Sequence, residues 1–127
     1  MSERHDRGRA GEECVCRYLT GLGWHIAARN YRVRGGEIDI VAESGDVTAF
    51  VEVKTRKPGA LAGGLEAVDA AKRKALVRAA GRYLEANPKD GGSGRFDVAE
   101  VTYFGGEPSS REPEIRYYEN AFDAFGI

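Results

Sequence analysis

Near the start of the chain, Cys14, Val15, Tyr18, Leu19 and Leu22 fall on one side of segment 7–22, and this spacing predicts an amphipathic helix ended by Gly23. Residues 24–33 (WHIAARNYRV) read as a strand, broken at Arg34-Gly35-Gly36. Two runs then alternate apolar and polar positions, 37–43 (EIDIVAE) and 47–55 (VTAFVEVKT), on either side of Ser44-Gly45-Asp46. Alternation around a Gly-Asp turn predicts a β-hairpin. Segment 56–64 (RKPGALAGG) has no period and reads as a loop. A long helix starts within 65–70 and runs to about Ala86, with Val68, Ala71, Ala75, Leu76, Ala79 and Tyr83 at helical spacing. Asn87-Pro88 closes it, because the residue before a proline is pushed out of helix geometry. After the link 89–94, segments 95–104 (RFDVAEVTYF) and 114–118 (EIRYY) read as two further strands joined by a Gly/Pro/Ser turn. The order α-β-β-β-α-β-β predicts an α/β fold, a central mixed β-sheet flanked by helices.

Composition narrows the class. The 127 residues suit a single domain, 1–127, and 42% apolar with 31% charged residues describes a folded, soluble chain. No apolar run approaches the roughly 18 residues of a membrane span. The charged start MSERHDRGRAGEE carries no secretory signal, so a cytoplasmic location is expected. Cys14 and Cys16 lie two apart on a helix, pointing apart, which suits neither a disulfide framework nor a zinc half-site. With only His5 and His25 present, in unrelated contexts, a Ser-His-Asp or Cys-His centre is not expected. The net charge of −1 hides an asymmetry: residues 1–95 carry 17 Lys+Arg against 13 Asp+Glu, and residues 96–127 carry 2 against 7. The 14 arginines outnumber the 5 lysines, and arginine is the better fork for phosphate, although a mixed charged surface also serves solubility alone.

Folding the hairpin about Gly45-Asp46, so that partner numbers sum to 91, sets Asp39 opposite Glu52, Val41 opposite Phe50 and Glu37 opposite Lys54. Asp39, Glu52 and Lys54 then share one face, and Ile38, Ile40, Ala42, Ala49, Val51 and Val53 form the apolar other. Facing carboxylates repel, and a divalent cation taking an oxygen from each removes the conflict. Hard oxygen ligands with no Cys or His nearby point to Mg²⁺ or Mn²⁺. With Lys54 to orient a water or hold a phosphate oxygen, these are the parts for metal-assisted phosphodiester hydrolysis. A solvated hairpin face with a Glu-Lys pair is the competing account.

The helices add candidates. Glu13 lies opposite the apolar side, four residues from Arg17, and reads as an exposed ion pair. Glu12 sits on the border of the buried stripe, either aimed into the same pocket as a third carboxylate or reaching water. Lys72 falls amid Val68, Ala71, Ala75 and Leu76, where it either reaches the carboxylates or a phosphate, or snorkels to the surface. Lys74, Arg78 and Arg82 form an outer basic ridge that reads as a solvated face.

The blocks Gly8-Arg9-Ala10-Gly11-Glu12, Arg29-Asn30-Tyr31-Arg32, 36–42 (GEIDIVA), 50–56 (FVEVKTR), Arg95-Phe96-Asp97-Val98 and Asn120-Ala121-Phe122, spread over essentially the whole chain, resemble the YraN-like family. That family is similar to the Holliday-junction-resolvase and RecB-type nucleases of the PD-(D/E)XK superfamily. The resemblance implies a restriction-endonuclease-like fold, with Asp39 as the motif aspartate and Glu52-Val53-Lys54 as its E-x-K. It further implies Glu12 as a helix carboxylate and the Val53 carbonyl as a metal ligand, and it assigns no role to Asp97. The function expected is a Mg²⁺- or Mn²⁺-dependent DNA endonuclease, selective for branched or flapped DNA. Asp39, Glu52, Glu12 and Lys54 would carry the chemistry, while Arg9, Arg56, Lys57 and Lys72 would contact nucleic acid. A homodimer or a DNA-processing protein is a further candidate partner, and a catalytically silent nucleic-acid-binding module of the same fold is the alternative.

Overall fold

The structure, a computed structural model, describes residues 3–58, 68–88, 92–104 and 112–123, with side chains from residue 8 onward. Its elements run α1 (Glu3–Gly21), β1 (His25–Val33), β2 (Gly36–Ser44), β3 (Val47–Arg56), α2 (Ala70–Ala86), β4 (Ser93–Thr102) and β5 (Glu114–Phe122). The strands form one mixed sheet in the order β1-β2-β3-β4-β5, parallel between β3 and β4 and antiparallel elsewhere. A helix on either side makes this the α/β architecture of the restriction-endonuclease-like fold. No helix among the described residues is long and apolar enough to cross a membrane.

Local chemistry sets the boundaries. α1 ends where Gly23, at φ +96°, lets its own N–H reach Thr20 O and the Trp24 N–H reach Leu19 O, both at 3.0 Å. This left-handed exit satisfies carbonyls that the helix itself leaves open. Leu22 belongs to that exit rather than to the stripe and is 63% exposed, while Val15, Cys16 and Leu19 are buried. At α2, the Asp69 carboxylate accepts the Lys72 N–H at 2.9 Å, and the Asn87 N–H closes the far end on Tyr83 O at 2.8 Å. Gly45, at φ +57°, makes the tight turn between β2 and β3.

The two faces carry separate cores. On one, α1 supplies Val15, Cys16 and Leu19 against Ile40, Ala42, Ala49, Val51, Ala99 and Val101. On the other, α2 supplies Leu76, Ala79, Ala80 and Tyr83 against Ile38, Val41, Phe50, Phe96, Val98 and Phe122. Gly36 is where α2 comes closest: an added Cβ would lie 2.5 Å from the Ala75 carbonyl oxygen.

The hairpin register is the expected one from Ser44 opposite Val47 to Ile40 opposite Val51. Beyond that point the strict alternation fails. Ile38 packs in the α2-side core, not beside Ile40. The cause lies on β1, where Asn30 adopts a left-handed φ of +52° between the pairs Arg29–Ile40 and Tyr31–Ile38. That turn sends Tyr31 edge-on against Tyr83 of α2, ring centroids 5.3 Å apart, and Ile38 follows. Glu37 faces Arg32 at 3.2 Å rather than Lys54. β5 also runs past 118 to Phe122, which stacks on Phe96 at 4.9 Å.

Candidate active site

Charged side chains from three elements converge where the β2–β3 ladder ends. Past Ile40, the Asp39 carboxylate reaches across to β3 and accepts the Val53 N–H on Oδ2 at 2.8 Å. A side chain thus replaces the main chain in the pairing, and holds Asp39 beside Glu52. Glu52, in the middle of β3, is only 3% exposed. Lys54, two residues along the same strand, places Nζ 3.4 Å from Glu52 Oε1. Lys72, in the first turn of α2, places its Nζ 3.5 Å from the same oxygen. Lys72 therefore reaches the carboxylates while remaining 46% exposed, so both accounts of this residue hold in part.

The electrostatics are uneven. Burial raises the Glu52 pKa, and the two ammonium groups work against that rise. For Asp39 the counterweight is weaker, since Lys72 feels the charge of Asp39 less than that of Glu52. Burial, then the Glu52 charge, with smaller contributions from Glu12 and Glu37, push it up to about 7, opposed chiefly by the Val53 N–H. Among the described residues nothing donates to Asp39 Oδ1. The Lys72 ammonium is held above its ordinary range, chiefly by Glu52. At neutral pH the pair is therefore short of positive charge at one specific place. A proton on Asp39 or a cation between the acids relieves it.

Such a donor set fits a hard divalent cation, since Mg²⁺ is commonly held by one or two carboxylates with waters and substrate phosphate completing the shell. Among the described residues no group of three acids, histidines or cysteines is gathered for a metal, so Asp39 and Glu52 stand as a pair. Glu12, half-buried on α1, acts on Asp39 through its charge. It comes near because Gly11 lets α1 lie against β3; a Cβ there would run into the Thr55 methyl.

The expected phosphate contacts divide. Arg9 and Lys57 are exposed, as is Lys72 in part. Arg56 is not a surface contact: its side chain is 12% exposed and its Nε lies 3.2 Å from Glu100 Oε2, an ion pair within the sheet face. Residues 59–64 of the loop that begins at Arg56 lie outside the described residues. Glu13 pairs with Arg17 at 3.6 Å as expected, and with Arg29 of β1 at 2.8 Å, a partner the helix spacing does not reveal. Cys14 and Cys16 are free thiols whose pKa values burial raises, which suits packing and not reactivity.

Asp97, without a role in the sequence reading, is completely buried on β4. It accepts from Arg95 Nε at 3.1 Å, from the Tyr117 hydroxyl at 2.6 Å and from the Asn120 N–H at 2.8 Å. Burial, then that bond to Asp97, holds the Tyr117 hydroxyl far above its usual range. The cluster ties β5 to β4 and has no unmet oxygen to offer a ligand.

The model of the uncharacterised protein family UPF0102 matches residues 11–101, which include Glu12, Asp39, Glu52, Lys54 and Lys72. The chain is 43% identical over 118 residues to a UPF0102 protein of Symbiobacterium thermophilum, covering 92% of this chain and 96% of the relative. It is 38% identical over 123 residues to one of Myxococcus xanthus (97% and 94% covered) and 40% identical over 119 residues to one of Chlorobium phaeobacteroides (93% and 94%).

Proposed function

The chain belongs to the uncharacterised protein family UPF0102, whose YraN-like members share the nuclease-like PD-(D/E)XK fold, and from its carboxylate pocket we propose that it is a Mg²⁺- or Mn²⁺-dependent DNA endonuclease. One observation carries this reading: a half-buried acid beside a buried one, with Asp39 raised to about 7 and two lysines on Glu52. A protein that needed only stability would not keep that repulsion.

Asp39, Glu52 and the Val53 carbonyl are the groups that would hold the cation. When bound, the cation supplies charge that makes water a nucleophile at neutral pH and steadies the scissile phosphate. Lys54 orients the attacking water and hydrogen-bonds a phosphate oxygen from its sheltered place on β3. Glu12 adds negative charge on the α1 side, favouring cation entry. Arg9, Lys57 and Lys72 contact the DNA backbone, and selectivity for branched or flapped DNA is the finer part of the proposal. The alternative, a nuclease-fold module that binds nucleic acid without cutting it, draws on the absence of a three-acid group among the described residues.

The test is cleavage of linear, flapped and four-way DNA by purified protein with Mg²⁺ or Mn²⁺. Glu52→Gln keeps the side-chain shape but not the charged oxygen, so it should abolish cutting and leave DNA affinity in chelator intact. Cleavage by that variant at the parent's rate would refute the assignment, and no cleavage by the parent with any divalent cation would favour the binding module.

A further inference from the structure

Glu52 Oε1 carries two ammonium neighbours from different elements, and they are not equivalent. Lys54 rises from the same strand and its side chain is 26% exposed, whereas Lys72 arrives from the first turn of α2 and is 46% exposed. Their distances to Oε1, 3.4 and 3.5 Å, exceed the roughly 2.7–2.9 Å of a tight charge-assisted hydrogen bond. Both contacts are therefore loose, and both draw on one carboxylate oxygen, which has two lone-pair directions to offer. A dication taking that oxygen needs one of these directions and repels both ammonium groups.

We propose that Lys72 is a displaceable counter-ion: it occupies Glu52 Oε1 in the metal-free protein, yields that oxygen to the incoming cation, and swings outward to where a DNA phosphate would lie. Its place on the helix allows this. The Lys72 main chain is anchored, its N–H held by the Asp69 cap at 2.9 Å, while its long side chain has solvent on one side. Lys54 has less room to leave, being more sheltered and on a strand paired along its length with β4. The chain thereby keeps Glu52 partly neutralised in the absence of metal and makes cation entry and phosphate capture one exchange. The inference rests on the metal-site reading above.

Mn²⁺ titration followed by the EPR signal of the free ion tests it on the full chain, with no DNA and no turnover. Lys72→Met should bind Mn²⁺ at least about 5-fold more tightly than the parent, because the competitor for Oε1 is gone. Lys72→Arg, which retains the charge, should stay close to the parent. In the parent, saturating diamagnetic Mg²⁺ should shift the Lys72 ¹³Cε resonance markedly more than that of Lys54. Unchanged or weaker Mn²⁺ binding by Lys72→Met would overturn the proposal, as would a Lys72 resonance that ignores Mg²⁺. Glu52→Gln separates the two levels: if the parent binds Mn²⁺ and this variant does not, the metal site stands whatever Lys72 does. If parent and Lys72→Met alike bind no Mn²⁺, the metal-site reading fails and the displacement falls with it.

Discussion

Asp39 and Asp97 are two aspartates built on the same device and used differently. Each lies within the sheet and accepts a backbone N–H from the neighbouring strand at 2.8 Å, Val53 in one case and Asn120 in the other. Each has a left-handed asparagine nearby on an adjacent strand, Asn30 at φ +52° and Asn120 at φ +51°. Asp97 then receives an arginine and a tyrosine hydroxyl, whereas Asp39 receives the charge of Glu52. Burial alone does not separate them, since Asp97 is the more buried of the two. What separates them is the supply of partners. A buried carboxylate with every oxygen met holds strands together; one left short of positive charge has capacity for a ligand.

The widest gap between the two should appear in stability. Asp97→Ala removes the common acceptor of Arg95, Tyr117 and the Asn120 N–H, and breaking a buried ionic cluster of this kind costs about 3 kcal/mol or more. Urea unfolding in chelator should show a loss of that size. A loss under about 1 kcal/mol would mean that the cluster is not what ties β5 to β4.

The cations beside the acids give the second contrast. Arg95→Ala should lower stability, since Arg95 holds Asp97 and lies over the Trp24 ring at 5.0 Å. Lys54→Ala should leave the melting temperature near the parent's and reduce cleavage about 10²-fold or more, the usual scale for a positioned catalytic group. Steady-state cleavage beside thermal melts would decide it. Lost stability with unchanged turnover would place Lys54 among the structural ions.

Much of this contrast was half legible in the chain. Strict alternation around Ser44-Gly45-Asp46 carried the hairpin register, and with it the neighbourhood of Asp39, Glu52 and Lys54. Lys72 stands out in the sequence as a charge amid the apolar positions of its helix, and it does meet Glu52. Asp97 was opaque because two of its partners, Tyr117 and Asn120, lie on a strand whose later residues, Glu119-Asn120, break the apolar pattern. The reversal of Ile38 was hidden for a related reason: alternation counts residues on one strand, and the turn that reverses it is at Asn30 on the next. Arg56 read as a surface cation because its partner Glu100 comes from β4, reached only after α2. Local periodicity reports which side chains share a face, not which distant charge will meet them.

A smaller effect should follow pH. The folded-state pKa of Asp39 is about 7, against roughly 3.9 for an unfolded aspartate, so the folded state binds its proton more tightly. Its stabilising contribution is complete below about pH 4 and is lost as pH rises through 7. Glu52 is raised too, and adds in the same sense. Asp39→Asn keeps an oxygen for the Val53 N–H and carries no charge. In chelator at pH 8 it should be more stable than the parent by about 1–2 kcal/mol, with the advantage shrinking towards pH 4. Saturating Mg²⁺ should stabilise the parent and not the variant. An Asp39→Asn protein that is less stable than the parent at pH 8 would make Asp39 a second Asp97.

Glu13 supplies the smallest effect and calibrates the rest. It has two arginine partners, Arg29 at 2.8 Å and Arg17 at 3.6 Å, so by a count of partners it resembles Asp97 more than Asp39. The hydrogen bond from Arg29, then its charge, lowers the Glu13 pKa, yet the side chain is 46% exposed and water reaches the carboxylate. There the ions are hydrated whether paired or not, and holding long side chains together offsets most of what the pairing contributes. Glu13→Gln should therefore leave the melting temperature within the scatter of the parent's, and 1 M salt should erase any residue of the effect, because exposed pairs are screened. Melts of both proteins at low and high salt are sufficient. A shift comparable to that of Asp97→Ala would mean that partner number alone ranks these carboxylates. The expected silence would show that partners matter in proportion to the water they replace.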